Sequence, residues 1–335
     1  MLRYMTYNIQ FGGVDDDGTR VVSRLPLIHE VVRQARRDVL AVQEANGFDQ
    51  RDFRRLFAFE RAVGMRSIFV QSPYGFHGLM LLRPEFAPVS MRNDYPLGNH
   101  LLVGLVLRTP GGAEMTVHNV HLDTYAPQQR VDGILRRLSG PTSVVMGDFN
   151  NLPPDDPGAE QLWQALSPAY QTRVSGASCE RADDRVFQAV ELAGHVDLFR
   201  QLHPHDRGAT VRGAEGLRVD YVFATADLAT RVTRCEVFDT APAREASDHF
   251  PVVTDFELDQ GFCVTGVAAA NAVLEVAWGL WSRFEALGSG TARADDPAGR
   301  PVILAARWAR PWRRLGLRWR LHRARSGHDR SRAHH

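Results

Sequence analysis

A carboxylate and an amide two residues apart close the apolar run Ser143-Val144-Val145-Met146-Gly147-Asp148-Phe149-Asn150. On an extended chain residues i and i+2 share a face, so Asp148 and Asn150 point the same way from a strand end. The acid suits a metal or a water, and the amide can donate N–H to an oxyanion. Gly, Asp and Asn are equally the residues of a β-turn, and alone the segment fits either reading.

Ser247-Asp248-His249, just before Pro251, puts a carboxylate beside an imidazole. That pair serves metal ligation or proton transfer, and a loop or helix cap uses the same residues. Asp220-Tyr221 opens a strand and says little by itself. Asn119 and His121 share one strand face, while His118 and Val120 take the other, which makes His118 a core or surface histidine. Glu44 follows an apolar run and Gln43, as a ligand or a surface acid. Asn8 lies inside the first strand, where a buried amide needs partners.

The elements that must position these residues follow from periodicity. Residues 1–9 read as a strand, and 25–42 as an amphipathic helix (Leu27, Ile28, Val31, Val32, Ala35) leading into an apolar strand at 39–42. Strands are expected at 78–82, 101–107 and 114–122, with Pro110-Gly111-Gly112 as the turn between the last two. Further strands are expected at 143–146, 219–224, 232–238 and 252–258, and helices at 128–138, 161–166 and 185–192. Strands and helices mix without strict alternation, which favours packed sheets with helices outside. No internal repeat is present.

In chain order the motifs are Thr6-Tyr7-Asn8-Ile9, Val42-Gln43-Glu44, Asn119-Val120-His121-Leu122-Asp123, Gly147-Asp148-Phe149-Asn150, Val219-Asp220-Tyr221-Val222 and Ser247-Asp248-His249-Phe250-Pro251. Together they resemble the endonuclease/exonuclease/phosphatase superfamily, which includes deoxyribonuclease I, exonuclease III and sphingomyelinase-type phosphodiesterases. The resemblance spans residues 4–258. It implies an α/β fold, a four-layered α/β sandwich of two packed mixed β-sheets flanked by helices, with a metal site at one end. Asn8, Glu44 and Asp248 would hold Mg²⁺ or Mn²⁺, an all-oxygen set suited to a hard cation. Asp148 would orient or deprotonate the attacking water, and Asn150 would bond the developing oxyanion. His249, paired with Asp220, and His121 would grip the phosphate or carry the proton.

The implied activity is a metal-dependent hydrolase of phosphoester bonds, most simply a phosphodiesterase. A DNA endonuclease or exonuclease of the exonuclease III-like branch is the alternative. A non-catalytic binding module on the same fold is a remote third, because it predicts lost ligands and none of the eight is lost. Gly194-His195-Val196-Asp197-Leu198-Phe199-Arg200 resembles the segment preceding the Asp-Tyr strand in exonuclease III-like enzymes. Against that branch, Thr6-Tyr7-Asn8 lacks a Trp-Asn pair and Val211 stands where an aromatic is usual. His-Leu-Asp followed by Arg130 is closer to the general phosphodiesterase branch. Asn119, His77, His100 and Arg130 are the candidate substrate contacts.

The chain has 335 residues, and every basic residue is arginine. Net charge is +1, but 27 Arg against 35 acids over 1–282 leave a body at −8, and 13 Arg against 4 acids over 283–335 leave a tail at +9. A body at −8 offers little to a nucleic-acid backbone unless its arginines cluster. The partner the resemblance implies is a phosphodiester substrate, whether small molecule, lipid head group or nucleic acid. No obligate protein partner is implied.

Residues 1–258 read as the catalytic domain and 259–335 as a basic C-terminal extension, helical or disordered. That extension comprises an apolar helix over 261–287 and an Arg-rich tail over 300–335. The apolar stretch at 261–281 has spanning length, but Glu275 lies within it and neither orientation suits the positive-inside rule, so a surface-docked helix is expected. Arginines interleaved with Trp308, Trp312 and Trp319 suit peripheral contact with an anionic membrane or nucleic acid. Three cysteines without a metal-knuckle spacing, and a chain opening directly on a strand, point to a cytoplasmic protein.

Overall fold

The computed structural model describes residues 1–258 apart from 17, 94–98, 123–133, 135–137, 139–141, 154, 176–183 and 213–215. The first strand, β1 (Leu2–Asn8), is buried on both faces from Tyr4 onward, as a central strand must be. It pairs in parallel with β4 (Val39–Gln43) and antiparallel with β14 (Val252–Phe256). β13 (Val232–Val237) extends one side of this sheet; β6 (Gly78–Leu82) and β5 (Arg66–Val70) extend the other, giving the order β13-β14-β1-β4-β6-β5.

The second sheet repeats the plan. Its central strand β10 (Ser143–Asp148) runs parallel to β9 (Glu114–Leu122) and antiparallel to β12 (Asp220–Thr225). β8 (Asn99–Arg108), β7 (Ala87–Asn93) and β11 (His195–Asp197) complete the order β11-β12-β10-β9-β8-β7. A small hairpin, β2 (Val14–Asp16) and β3 (Val21–Ser23), stands apart from both sheets.

Side chains alternate along each strand, so every central strand feeds two layers. Tyr4, Val39, Ala41 and Met80 meet Val103, Leu105, Val117, Val144, Met146 and Val222 between the sheets. Met5, Tyr7, Leu40 and Val42 face outward onto α1 (Leu25–Ala35) and α2 (Arg54–Val63). Val120, Val145, Tyr221 and Phe223 face outward from the second sheet onto α3 (Arg185–Leu192). Helix, sheet, sheet and helix form the four layers expected from the sequence.

Helix α1 buries Ile28, Val31, Val32 and Ala35, the spacing of one helical face. Arg37, just beyond it, is buried without a carboxylate partner among the described residues. Its guanidinium instead donates to Val32 O at 2.6 Å and Val63 O at 2.5 Å, closing the carbonyl ends of α1 and α2. Helix α2, strands β5 and β7 and the β2–β3 hairpin were not expected from the sequence. Pro88 in β7 is tolerated because β7 is an edge strand. Of the helix expected at 128–138, only Ile134 and Leu138 lie among the described residues, and both are buried. The extension, with its apolar helix at 261–287 and tail at 300–335, lies outside the described residues. Among those described, no helix is long and apolar enough to cross a membrane.

Candidate active site

The inward-facing rows of five strands turn polar at the same end of the sandwich. They run Tyr4-Thr6-Asn8 on β1, Val39-Ala41-Gln43 on β4, Val117-Asn119-His121 on β9, Val144-Met146-Asp148 on β10 and Ala224-Val222-Asp220 on β12. Gln43, at the end of the β4 row, forms a layer of fully buried amides and a hydroxyl with Thr6 and Asn119, the members just below the ends of the β1 and β9 rows. Gln43 Nε2 donates to Thr6 Oγ1 at 3.0 Å and to Asn119 Oδ1 at 2.8 Å. Asn119 Nδ2 donates to Val42 O and Leu79 O, each at 3.0 Å. Asn119, expected as a substrate contact, is instead part of this floor: it is fully buried and its amide is spent joining the sheets.

Asn8 and Glu44 form the wall from the first sheet. Asn8 Nδ2 donates to Glu44 Oε1 at 3.2 Å and to Asp148 Oδ2 at 2.9 Å. Beyond β1 the chain takes four consecutive residues at positive φ: Gln10 at 51°, Phe11 at 49°, Gly12 at 69° and Gly13 at 67°. This left-handed turn aims its amides at the site. Gln10 N donates to Asn8 Oδ1 at 3.0 Å, Phe11 N to Glu44 Oε2 at 2.8 Å and Gly12 N to Glu44 O at 2.7 Å. Glu44 itself sits at φ 57°, a strained conformation of the kind that concentrates at functional sites.

Asp148, Asn150 and His121 form the opposite wall. Gly147 has φ 150°, and a Cβ there would lie 1.8 Å from Val120 O, so only glycine lets β10 pass β9 and present Asp148. Asn150, at φ 47°, donates its backbone N–H to Asp148 Oδ1 at 2.8 Å. Its side-chain amide donates to Leu122 O at 3.0 Å and stands 3.4 Å from Asp148 Oδ2. His121 Nε2 is 3.5 Å from Asp148 Oδ2 and 4.0 Å from Glu44 Oε1. The Phe76 ring meets the His121 ring edge-on at 5.8 Å.

Between the walls, His249 Nδ1 donates to Asp220 Oδ2 at 2.7 Å, and His249 Nε2 lies 4.0 Å from Asp148 Oδ2. Burial pulls the His249 imidazole down. The charge and hydrogen bond of Asp220, with the charges of Asp148 and Asp248, overcome that and hold its pKa up at about 10. Burial pushes the Asp148 carboxyl above its ordinary range; His249 opposes the rise and Asp220 adds to it.

Two hydroxyls hold this dyad: that of Thr210, which the sequence did not single out, and that of Ser247, which it named only as part of the Asp248–His249 motif. Thr210 Oγ1 accepts from Asp220 N at 3.1 Å while Thr210 O accepts from Phe250 N at 2.6 Å. Ser247 Oγ donates to Asn8 O at 2.8 Å and accepts from His249 N at 3.2 Å. Of their partners, Asn8 O and Phe250 N are backbone atoms distant in sequence, which no local pattern reveals. Asp248 is linked to Asn8 through Ser247, whose hydroxyl is 3.3 Å from Asp248 Oδ1.

The donor set fits a divalent cation. Asp148, Asp220 and His249 offer ligand atoms all within 4.8 Å of one another. Asp220 Oδ1 is buried with no hydrogen-bond partner among the described residues. An orphaned carboxylate oxygen beside a second buried carboxylate is the charge arrangement that a hard cation relieves.

The structure thus brings Asn8, Glu44, His121, Asp148, Asn150, Asp220 and His249 into one network, with Asp248 at its edge. His77 does not join it. Its Nδ1 accepts from Ser72 N at 3.0 Å and its Nε2 faces Asp49 at 3.5 Å, so it braces the loops beside Glu44. The side chain of His100, and all of Arg130, lie outside the described residues.

The architecture has known counterparts. An AP endonuclease from Archaeoglobus fulgidus superposes with a TM-score of 0.57 at 23% identity, covering 77% of this chain and 100% of that one. The 3′ phosphatase NExo from Neisseria, in a variant bound to product DNA hairpin, gives 0.56 at 19% identity, with 77% and 100% covered. An endonuclease/exonuclease/phosphatase from Beutenbergia cavernae gives 0.53 at 24% identity, with 77% and 71% covered. At these identities the likeness establishes the fold. No curated protein matches the chain in sequence. The Endonuclease/Exonuclease/phosphatase family model, however, matches residues 5–249, from the strand that delivers Asn8 to the histidine that faces Asp148. The chain belongs to the endonuclease/exonuclease/phosphatase family.

Proposed function

We propose that this protein is a divalent-metal-dependent hydrolase of phosphoester bonds, and within that class a phosphodiesterase for a small-molecule or lipid-headgroup substrate. The observation that carries the reading is the convergence of Asn8, Glu44, His121, Asp148, Asp220 and His249, from both sheets, on one end of the sandwich. In this reading Mg²⁺ or Mn²⁺ is held by Asn8 and Glu44 with Asp248 beside them, as the family resemblance implies, and not by the neighbouring Asp148–Asp220–His249 cluster, whose groups are left to face the water and the phosphate. When bound, the cation supplies Lewis-acid stabilisation of the phosphoryl oxygens.

The chain's own groups do the rest. Asp148 orients the attacking water and accepts its proton, and its raised pKa makes it a better base than a free carboxylate. His249, kept charged by Asp220, grips a phosphoryl oxygen opposite Asp148. His121 lines the same cleft, and Asn150 donates to the developing oxyanion. The substrate class rests on charge: a body at −8 is poorly suited to follow a polyanionic backbone.

A nuclease is the second reading, favoured by the superposition on an AP endonuclease and on a 3′ phosphatase bound to a DNA hairpin. Purified protein assayed with Mg²⁺ or EDTA on bis(p-nitrophenyl) phosphate and on abasic-site duplex DNA separates the two. EDTA-sensitive turnover of the chromogenic ester alone supports the phosphodiesterase, and EDTA-sensitive nicking of the duplex supports the nuclease. No turnover of either contradicts the proposal. The tail over 300–335 is assigned to peripheral contact with an anionic membrane, in a cytoplasmic protein. Liposome flotation that is unchanged by removing residues 259–335 would contradict that assignment.

A further inference from the structure

Arg24 is nearly buried at the entry to α1, and its guanidinium joins three separate segments. It donates through Nη2 to Gln10 O at 2.8 Å and through Nη1 to Ile9 O at 3.4 Å. Nη1 also donates to Ala246 O, and Nε faces both carboxylate oxygens of Asp15 at 3.0 Å. The Arg24 backbone N–H donates to Gly13 O at 2.8 Å. Two carbonyls of the left-handed turn, Gln10 O and Gly13 O, and that of Ile9 just before it are therefore held by one residue, as is the carbonyl that precedes Ser247-Asp248-His249. The same guanidinium pins Asp15 of the β2–β3 hairpin.

We infer that Arg24 is a positioning residue that fixes the Asn8–Glu44 half of the site in register with the Asp248–His249 half. The first two residues of the turn, Gln10 and Phe11, sit in a left-handed conformation that non-glycine residues resist, so it persists only when its surroundings hold it. Arg24 binds the Ile9, Gln10 and Gly13 carbonyls, while the N–H groups of Gln10, Phe11 and Gly12 bond Asn8 Oδ1 and both ends of Glu44. Losing the guanidinium frees the turn from the 246–249 loop and leaves Ser247 Oγ to Asn8 O as a direct bond between them. Four of the guanidinium's five N–H groups bond these backbones and Asp15, so its action on the cleft is through them. The catalytic part of the inference rests on the phosphoesterase reading; the coupling of the two loops does not.

Arg24→Met, Arg24→Lys and Asp15→Asn test it, each checked for folding by circular dichroism and thermal unfolding. Hydrogen–deuterium exchange should rise in Arg24→Met at both 9–13 and 246–249, while the central strands of both sheets stay protected. In the bis(p-nitrophenyl) phosphate assay kcat should fall about 10²-fold with KM little changed, the scale of an ångström-level misplacement. Arg24→Lys should recover part of both effects, and Asp15→Asn should show weaker versions of them. If Arg24→Met does not fold, Arg24→Lys and Asp15→Asn carry the test on the same two readouts. Exchange that rises at one loop only, or uniformly, overturns the inference, as does an unchanged kcat in an active, folded variant. A wild-type protein that hydrolyses nothing defeats the phosphoesterase reading and leaves the exchange result to decide the coupling.

Discussion

His249 and Asp220, 2.7 Å apart, belong to different sheets: Asp220 opens β12 in the second, and His249 lies just before β14 in the first. Asn8 and Asp148, 2.9 Å apart, likewise end the central strands of the two sheets. Gln43 and Asn119, 2.8 Å apart, join the two sheets one layer deeper. The site is thus built across the sandwich interface, and its geometry depends on how the two sheets are held together.

The dyad should set the alkaline limit of activity. Because His249 titrates near 10 rather than 6.5, it stays charged across the neutral range. Asp220→Asn removes the charge that overcomes burial, so the alkaline limb of kcat/KM against pH should move to lower pH. The same shift bears on stability. A histidine whose folded pKa is raised contributes stability that is complete below about 6.5 and lost as pH rises through about 10. Urea unfolding of wild type between pH 6 and 10 should show that loss, and Asp220→Asn should reduce it.

The floor should be costly to cut. Gln43→Leu removes the donor to Asn119 Oδ1 and leaves a fully buried acceptor unpaired. A loss of about 1–3 kcal/mol is expected, read from the urea midpoint at constant slope. An unchanged midpoint would show that the amide layer does not tie the sheets.

Gly147→Ala should be tolerated far less well than its size suggests. The added methyl meets Val120 O at 1.8 Å, and both are strand backbone with no flexible end to yield. Failure to accumulate as soluble folded protein is the expected result, and a normal melting curve would refute this account of the glycine.

His118, on the far face of β9 from the site residues, is a buried histidine with neither ring nitrogen hydrogen-bonded among the described residues. Burial, reinforced by nearby His195, lowers its pKa to about 3. The unfolded chain takes up its proton near 6.5 while the folded chain does not, so stability should fall as pH drops from about 6.5 toward 3. His118→Leu should flatten that slope in acid unfolding experiments, and an equally steep slope would place the acid lability elsewhere.

Most of the site could be read from the sequence because its residues fall in motifs whose joint order resembles one family, each segment being ambiguous alone. Asp148 and Asp220 also stand out locally, where the apolar rows Val144-Met146 and Ala224-Val222 would otherwise continue, whereas Asn8 follows Tyr4 and Thr6. What escaped was whatever acts through backbone. Arg24 binds Ala246 O across 222 residues of chain, and Thr210 accepts N–H groups from Val219 and Asp220. Neither contact leaves a pattern in the side chains. Asn119 was visible as polar, but its depth was not, since a floor residue and a cleft residue share a strand face. Helix α2 was hidden by its charges, among them Glu60, which is buried by accepting from Ser67 N and Oγ at 2.6 Å each.

The central claim is that Asp148 is the group that activates water at this site. Asp148→Asn keeps the shape of the side chain and one of its two acceptor oxygens, so it keeps the bond from either Asn8 Nδ2 or Asn150 N, but it cannot take a proton. Measured with Mg²⁺ on bis(p-nitrophenyl) phosphate, the folded variant should lose about 10²–10⁴-fold in kcat relative to wild type. Wild-type turnover that persists in Asp148→Asn would contradict the account.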